Sequence, residues 1–553
     1  MRRLVVLAAL SLPSIALCQT PTQTSPNPHP PAADGKVHCS LQSPPAPGEA
    51  LNALVSGNTE RAETLYAAQV ASSPSPAAYA ALIRAQLAGN NLSAALATAK
   101  SALAATPTSA EVQASTGDVL LRSGQIPEAD AGYSRALALD ACSARGHFGK
   151  GLINQLLSHH AAAAHELDIA RKLSPNDPEI IAAYLTSLPE ADRAAPLNAF
   201  LFSKPQLPPD RIAELTNQLA ILQAHKLCTE VEAIQTVKLQ LAPVMFNGTR
   251  IRSWGFTARL NNDNQLLELD SSVSGIFLDE KQAAKAGVRP LTAGATTVPY
   301  TGVLDHLKIG SVQYRDCPVH VVASATLAGE NGLIGLDLFR DHLIHIDYPD
   351  QSVTLSPLPA DSLAAAPGNE RSIITPTNKD WSQIYVDGNN ILVPTLINKQ
   401  GPYLFVLDTG AVRTVLSPDA ATHTLGKNKD GSLALRGISG PVVKVLPKEG
   451  GGDLDRVDVY SNDGKLLKVY SPVKYPVLRF AGTEFAAPAT ISFDLTPKSH
   501  ATGIEVSGLL GFDVLRSFLI DINYRDGLAR ILFDQNRRYL VQQADRTYLG
   551  NYY

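Results

Sequence analysis

"GLIGLDLFRDHLIHIDYPD", residues 332–350, and "GLLGFDVLRSFLIDINYRD", residues 508–526, are two versions of one stretch. At a constant offset of 176, ten of the nineteen positions are identical: both glycines, the Asp after the second, an Arg, and the Leu, Ile, Tyr and Asp positions that follow. Chance does not produce such agreement. The C-terminal half of the chain therefore contains a duplicated unit, and each copy must carry the same upstream pieces.

It does. The second copy has "LFVLDTGAVRTVLSPDAA", 404–421, and the first has "QLLELDSSVSGIFLDEKQAA", 265–284. Aligned on Asp270 and Asp408, both run as a strand, an Asp, a hydroxyl residue, a small residue, a second strand and a short helical piece ending near Gly287 or Gly426. Here the offset is 138, so the second copy holds 38 extra residues. The polar, Gly-rich "PKEGGGDLDRVDVYSNDGKLLKVYS" is the place for them, as an inserted hairpin or loop near 445–475. From about residue 240 onward, Val, Ile, Leu and Thr alternate with polar residues between Gly and Asp turns, which is β-rich sequence.

The first half has a different texture. Over 46–235 the pattern is helical and recurs every 34 residues: Ala95, Ala129 and Ala163; Gly117 and Gly151; Leu92 and Ile126. Small residues allow close helix crossings, and each helix pair leaves an apolar face for its neighbour to cover. The region resembles a tetratricopeptide array of three to four units, which implies a packing scaffold or a concave surface for a protein partner.

The chain has 553 residues and a net charge of −4, with no long basic run, which argues against a nucleic-acid surface. "MRRLVVLAALSLPSIALC" reads as a signal peptide over 1–18, followed by a Pro/Thr/Ser-rich disordered linker over 19–45. That implies export to a periplasm or beyond the cell. Cys18 leaves a lipid anchor as the alternative, although Leu17 is bulkier than such a site takes. No later segment has ~18 uninterrupted apolar residues, so no further membrane span is expected. Cys39, Cys142, Cys228 and Cys317 show no zinc spacing and are open to disulfide pairing or to buried thiols.

The combination of strand–Asp-Thr-Gly, a following hairpin and apolar-apolar-Gly-x-Asp resembles the retropepsin-like aspartic proteases, here in two tandem copies covering about half the chain. The expected architecture is multidomain: a tetratricopeptide-like region, then two all-β acid-protease lobes at 240–358 and 380–540. The resemblance implies an aspartic endopeptidase acting on a peptide or protein, with Asp270 and Asp408 activating a water and with no metal or other cofactor. It assigns Ser271 and Thr409 to hydroxyl bonds across the axis, and Gly410 to close backbone approach. Ser272 departs from the pattern, where Gly is expected. Flaps are expected at Tyr300, Thr301 and Gly302 and at Gly437, Ile438, Ser439 and Gly440, with Asp337 and Asp513 in structural roles. The alternatives are a catalytically inactive peptide-binding scaffold, and a site formed by Asp408 from two copies of the chain.

Other motifs carry less. His306, His342 and His345 lack a matching nucleophile or ligand set. "GGGD", 450–453, has no following Lys-Ser/Thr and is no phosphate loop.

Overall fold

The computed structural model describes residues 39, 48–205, 207, 209–224, 227–246, 250–292, 297–327, 332–359, 380–425, 437–438, 444–447, 457–460, 466–470, 476–487 and 490–533. The chain divides into Met1–His38 and Cys39–Tyr553. The expected signal peptide and nearly all of the linker lie outside the described residues.

Among the described residues, eleven helices run from Glu49–Val55 to Pro209–Gln223. Their starts carry the period. Ser75, Ser109, Ser143 and Asp177, each 34 residues after the last, accept a hydrogen bond from a first-turn backbone N–H. Such a cap satisfies a donor that a helix start otherwise leaves open. The small residues have specific partners too. A Cβ on Gly117 would lie 2.7 Å from the Tyr133 ring, and one on Gly151 would lie 2.6 Å from Leu167. Tyr133 and Leu167 are themselves one repeat apart. No helix among the described residues is long and apolar enough to cross a membrane.

The array is no free arm. Leu121, Ile126, Tyr133 and Ile153 share one buried cluster with Leu392, Leu404, Val406, Ile491 and Val506 of the second β unit. The Arg122 carbonyl accepts from Glu505 N–H at 2.7 Å, and the Arg122 guanidinium donates to the Ser499 carbonyl at 2.7 Å. The helical region also ends earlier than the sequence suggests. Thr229–Glu230 already pairs with Tyr314 and Arg315 of the first β unit, and the Cys228–Cys317 disulfide ties the segment there. Cys39 pairs with Cys142. Of the two cysteine readings, these four residues take the disulfide one, which is compatible with an oxidising compartment.

Among the described residues, each β unit has a nine-stranded sheet. In the first, strand Asp263–Leu269 lies between antiparallel Arg250–Leu260 and parallel Gly332–Ile334, and the latter pairs on its other side with Ile276–Asp279. In the second, Gln400–Leu407 lies between Asn390–Ile397 and parallel Gly508–Leu510, which then meets Val415–Leu416. The extra residues of the second copy include a three-stranded antiparallel sheet of Lys444–Pro447, Val457–Tyr460 and Leu466–Tyr470.

A six-stranded sheet joins the units through His342–Asp347 and Leu519–Asn523. Its register is symmetric: Ile344 opposes Ile522, Ile346 opposes Ile520, and His345 opposes Asp521, its own duplicate. A two-fold relation between the copies thus passes through this pair. His345 Nδ1 lies 2.6 Å from Asp521 Oδ1, and Arg530 Nε donates to Asp521 Oδ2 at 2.7 Å.

Two predictions follow from this packing. Gly149→Ala lowers the melting temperature, because the added methyl falls within the Tyr133 ring, which Gly117 hems in from the other helix. Helix propensity alone would raise stability instead, by up to about 1 kcal/mol. The hydrogen bond to Asp521 holds the His345 pKa above its ordinary value, against desolvation. The pair's contribution is full below about pH 6.5 and is lost as pH rises through that raised value. The melting-temperature gap between wild type and His345→Gln is therefore wider at about pH 5.5 than at about pH 8.5.

Candidate active site

Both Asp-bearing strands end in the same way. Asp270 N–H donates to the Ile334 carbonyl and Asp408 N–H to the Leu510 carbonyl, each at 3.0 Å. This continues the parallel pairing up to the acid and then releases the chain into a loop. Within the loops, Ser272 N–H donates to Asp270 Oδ1 at 2.8 Å. Gly410 and Ala411 N–H donate to Asp408 Oδ1 at 3.1 and 2.9 Å. Each acid thus orders its own turn.

The two loops hold each other. Ser271 N–H donates to Thr409 Oγ1 at 2.9 Å, and Thr409 N–H donates to Ser271 Oγ at 3.0 Å. The Ser271 hydroxyl donates to the Leu407 carbonyl at 2.6 Å, and the Thr409 hydroxyl to the Leu269 carbonyl at 2.8 Å. These four bonds between the loops are all made by two duplicated positions that are buried.

This grip brings the acids together. A Cβ on Gly410 would stand 2.6 Å from Asp270 Cγ and 2.7 Å from Asp270 Oδ2. Gly410 N–H meanwhile bonds Asp408, so both carboxyls meet at this glycine. Asp408 is buried, whereas Asp270 keeps a partly open side. Burial, and then the charge of Asp270, push the Asp408 carboxyl up to about 7. The Lys498 ammonium and the N–H groups of Ala411 and Gly410 oppose that rise. Like charges at close range disfavour double ionisation, so the pair retains a proton well above the usual carboxylate range.

Supporting groups lie around the pair. Asp337 accepts from the Ser274 hydroxyl at 2.6 Å and from Gly275 N–H at 2.9 Å. Asp513 accepts from Thr414 N–H and from the Thr414 hydroxyl, both at 2.8 Å. Neither carboxylate is described in contact with the Asp270–Asp408 pair. Buried Tyr348 contacts Thr409, and burial and then the charges of Asp408, Asp270 and Glu268 raise its phenol. Beneath the first loop, Glu268 is held by Arg252 at 2.6 Å and by Ser253.

Five of the expected flap residues, Tyr300, Thr301, Gly302, Gly437 and Ile438, fall in paired strands. Tyr300, Thr301 and Gly302 are in the paired strand Tyr300–Ile309, opposite Val321, His320 and Val319. Gly302 also pairs with Pro290, so these residues form the base of a hairpin. Residues 293–296 of the intervening segment lie outside the described residues. The Thr301 hydroxyl donates to Asn217 Oδ1 of the last helix at 2.8 Å. Gly302 is small because Val288 and the Arg289 carbonyl crowd it. In the second copy, Gly437–Ile438 is an edge strand parallel to Ser492–Phe493. Ser439 and Gly440 lie outside the described residues. The spacing of about thirty residues beyond each Asp and the glycines suggest a tip, but the Thr-Gly-Val and Gly-Ile runs pair as strands.

Lys498, Tyr348 and Asp387 went unread in the sequence. Tyr348 had a signal, since its position is duplicated as Tyr524. Lys498 had none. It sits on the short helix Thr496–Thr502 and donates to the Ser272 carbonyl of the other unit at 3.4 Å. Among the described residues, no group of three His, Cys, Asp or Glu side chains is placed to hold a metal ion.

No family model matches the chain, and no curated protein does. Solved structures similar to the helical part include a thermophilic tetratricopeptide protein of Thermus thermophilus, at 23% identity over 31% of this chain and 98% of that one, with a TM-score of 0.25. Another is pilF of Pseudomonas aeruginosa, at 23% identity over 32% of this chain and 81% of that one, with a TM-score of 0.24. An aspartic proteinase from Irpex lacteus aligns at 10% identity over 55% of this chain and 99% of its own length, with a TM-score of 0.31. By its own elements, the chain combines a helical region with a 34-residue period and a β-rich region of two duplicated units.

The grip yields a stability prediction. Ser271→Ala and Thr409→Ala each leave buried backbone groups without a partner and cost about 1–3 kcal/mol in urea unfolding. The double variant costs less than the sum, because the two hydroxyls serve one network.

Proposed function

We propose that the chain is an aspartic endopeptidase whose dyad is Asp270 and Asp408. The observation that carries this reading is the convergence of both carboxyls on Gly410, held by the reciprocal Ser271 and Thr409 bonds. Burial favours the proton on Asp408, which then polarises the peptide carbonyl. Asp270, on the more open side, takes a proton from a water as that water attacks the carbonyl carbon. The tetrahedral intermediate collapses with proton transfer to the leaving amine. No covalent enzyme intermediate is needed.

The proposed organisation is a tetratricopeptide-like region from 46 to the end of the last helix at Gln223, a first lobe that takes in the Thr229–Glu230 strand and runs to 358, and a second lobe over 380–540. The helical region braces the second lobe and offers a surface for a protein partner. Export follows from the N-terminal leader, and the two disulfides support an oxidising destination.

Ser272 favours a second reading, a peptide-binding protein without turnover, since its twin Gly410 needs its bareness. Purified protein on a peptide library distinguishes the two. The enzyme reading expects cleavage from acidic to neutral pH that fades as the pair loses its shared proton above about pH 7. Asp408→Asn and Asp270→Asn each reduce the rate by ~10²–10⁴-fold. Full cleavage by Asp408→Asn refutes the dyad, and full cleavage by Asp270→Asn alone points to Asp408 from two copies. Binding without hydrolysis at every pH supports the scaffold.

A further inference from the structure

We infer that Lys498 is a positioning residue for the acid pair: reaching from helix Thr496–Thr502 of the second lobe to the Ser272 carbonyl of the first, its ammonium sets how tightly the pair holds its shared proton. This rests on the dyad reading above.

The placement is built. The Lys498 ammonium donates to the Ser272 carbonyl at 3.4 Å, and the N–H of the same Ser272 donates to Asp270 Oδ1. One residue thus meets the ammonium on one side and an acid on the other. The short helix is fixed as well. Ser499, next to Lys498, is buried and accepts Val506 N–H at 2.9 Å, while its carbonyl accepts the Arg122 guanidinium of the helical array. Lys498 is partly buried, between exposed Pro497 and buried Ser499. A long cationic chain is thus turned inward, across the line between the lobes, at the loop where the first copy departs from Asp-Thr-Gly.

The charges around it are few. Asp408 and Asp387 both feel the Lys498 charge, which opposes their rise. Burial leaves Asp387 at about 7, and from the last array helix Glu214 raises it while Arg211 lowers it. Asp270 faces Asp408 directly, and Glu268 and Tyr348 lie below with the two acids. Lys498 is the cation that opposes the rise of Asp408 most strongly. Its removal strips the main positive charge that offsets burial and the Asp270 charge.

The test is a carboxyl titration of full-length protein labelled with aspartate ¹³Cγ, with the Asp408 signal assigned through Asp408→Asn. Lys498→Met removes the charge and keeps the chain length; Lys498→Gln is the second neutral variant should the first not fold; Lys498→Arg keeps the charge. The upper transition of the pair rises by about one pH unit in the neutral variants and stays near wild type in Lys498→Arg. If the neutral variants titrate as wild type, or if Lys498→Arg moves as far as they do, the inference is wrong. In parallel, the alkaline limb of the cleavage profile moves upward by the same amount in Lys498→Met. A merely structural role lowers the rate without moving that limb, and that result also overturns the inference. Wild type that cleaves nothing refutes the protease reading instead, and the titration still decides the role of Lys498.

Discussion

Everything at the centre of this molecule depends on two hydroxyls. Ser271 and Thr409 each accept a backbone N–H from the opposite loop and donate to the carbonyl that precedes the opposite acid. Without them, two strand ends bearing carboxylates would repel across the line between the copies. With them, the backbone fixes the acids where neither charge is fully hydrated. The raised Asp408 carboxyl is the electrostatic trace of that constraint. The shared six-stranded sheet supports the same relation from below, with His345 opposite Asp521 as Ser271 is opposite Thr409.

Duplication made the fold readable. Gly332, Gly335, Gly508 and Gly511 recur because each is crowded: by Leu267 and Leu278, by Asp337 and Val273, by Phe405, and by Arg413 and Thr414, respectively. Asp337 and Asp513 recur because each ties down a neighbouring turn. Such pressures act on every copy and so leave a pattern in the chain. The 34-residue period was legible for the same reason, through small residues such as Gly117 and Gly151, which the structure sets against Tyr133 and Leu167.

What stayed hidden is what the duplication lacks. Lys498 acts across lobes from a short helix, and its contacts join residues 226 positions apart. The docking of the helical array on the second lobe is equally silent, because Leu121 and Ile126 read as ordinary array core until Leu404 and Val506 are found against them. The flap expectation for the first copy meets a different local structure: Thr301 and Gly302 belong to a paired strand. Arg122 links these parts. Its guanidinium holds the helix that presents Lys498 by donating to the Ser499 carbonyl.

The central claim is that Asp270 and Asp408 share one proton. The most direct measurement is the ¹³Cγ titration of Asp408 in wild type and in Asp270→Asn. The account predicts an upper transition near 7 in wild type that falls by more than about one pH unit when Asp270 loses its charge. An Asp408 transition that is unchanged by Asp270→Asn would contradict it.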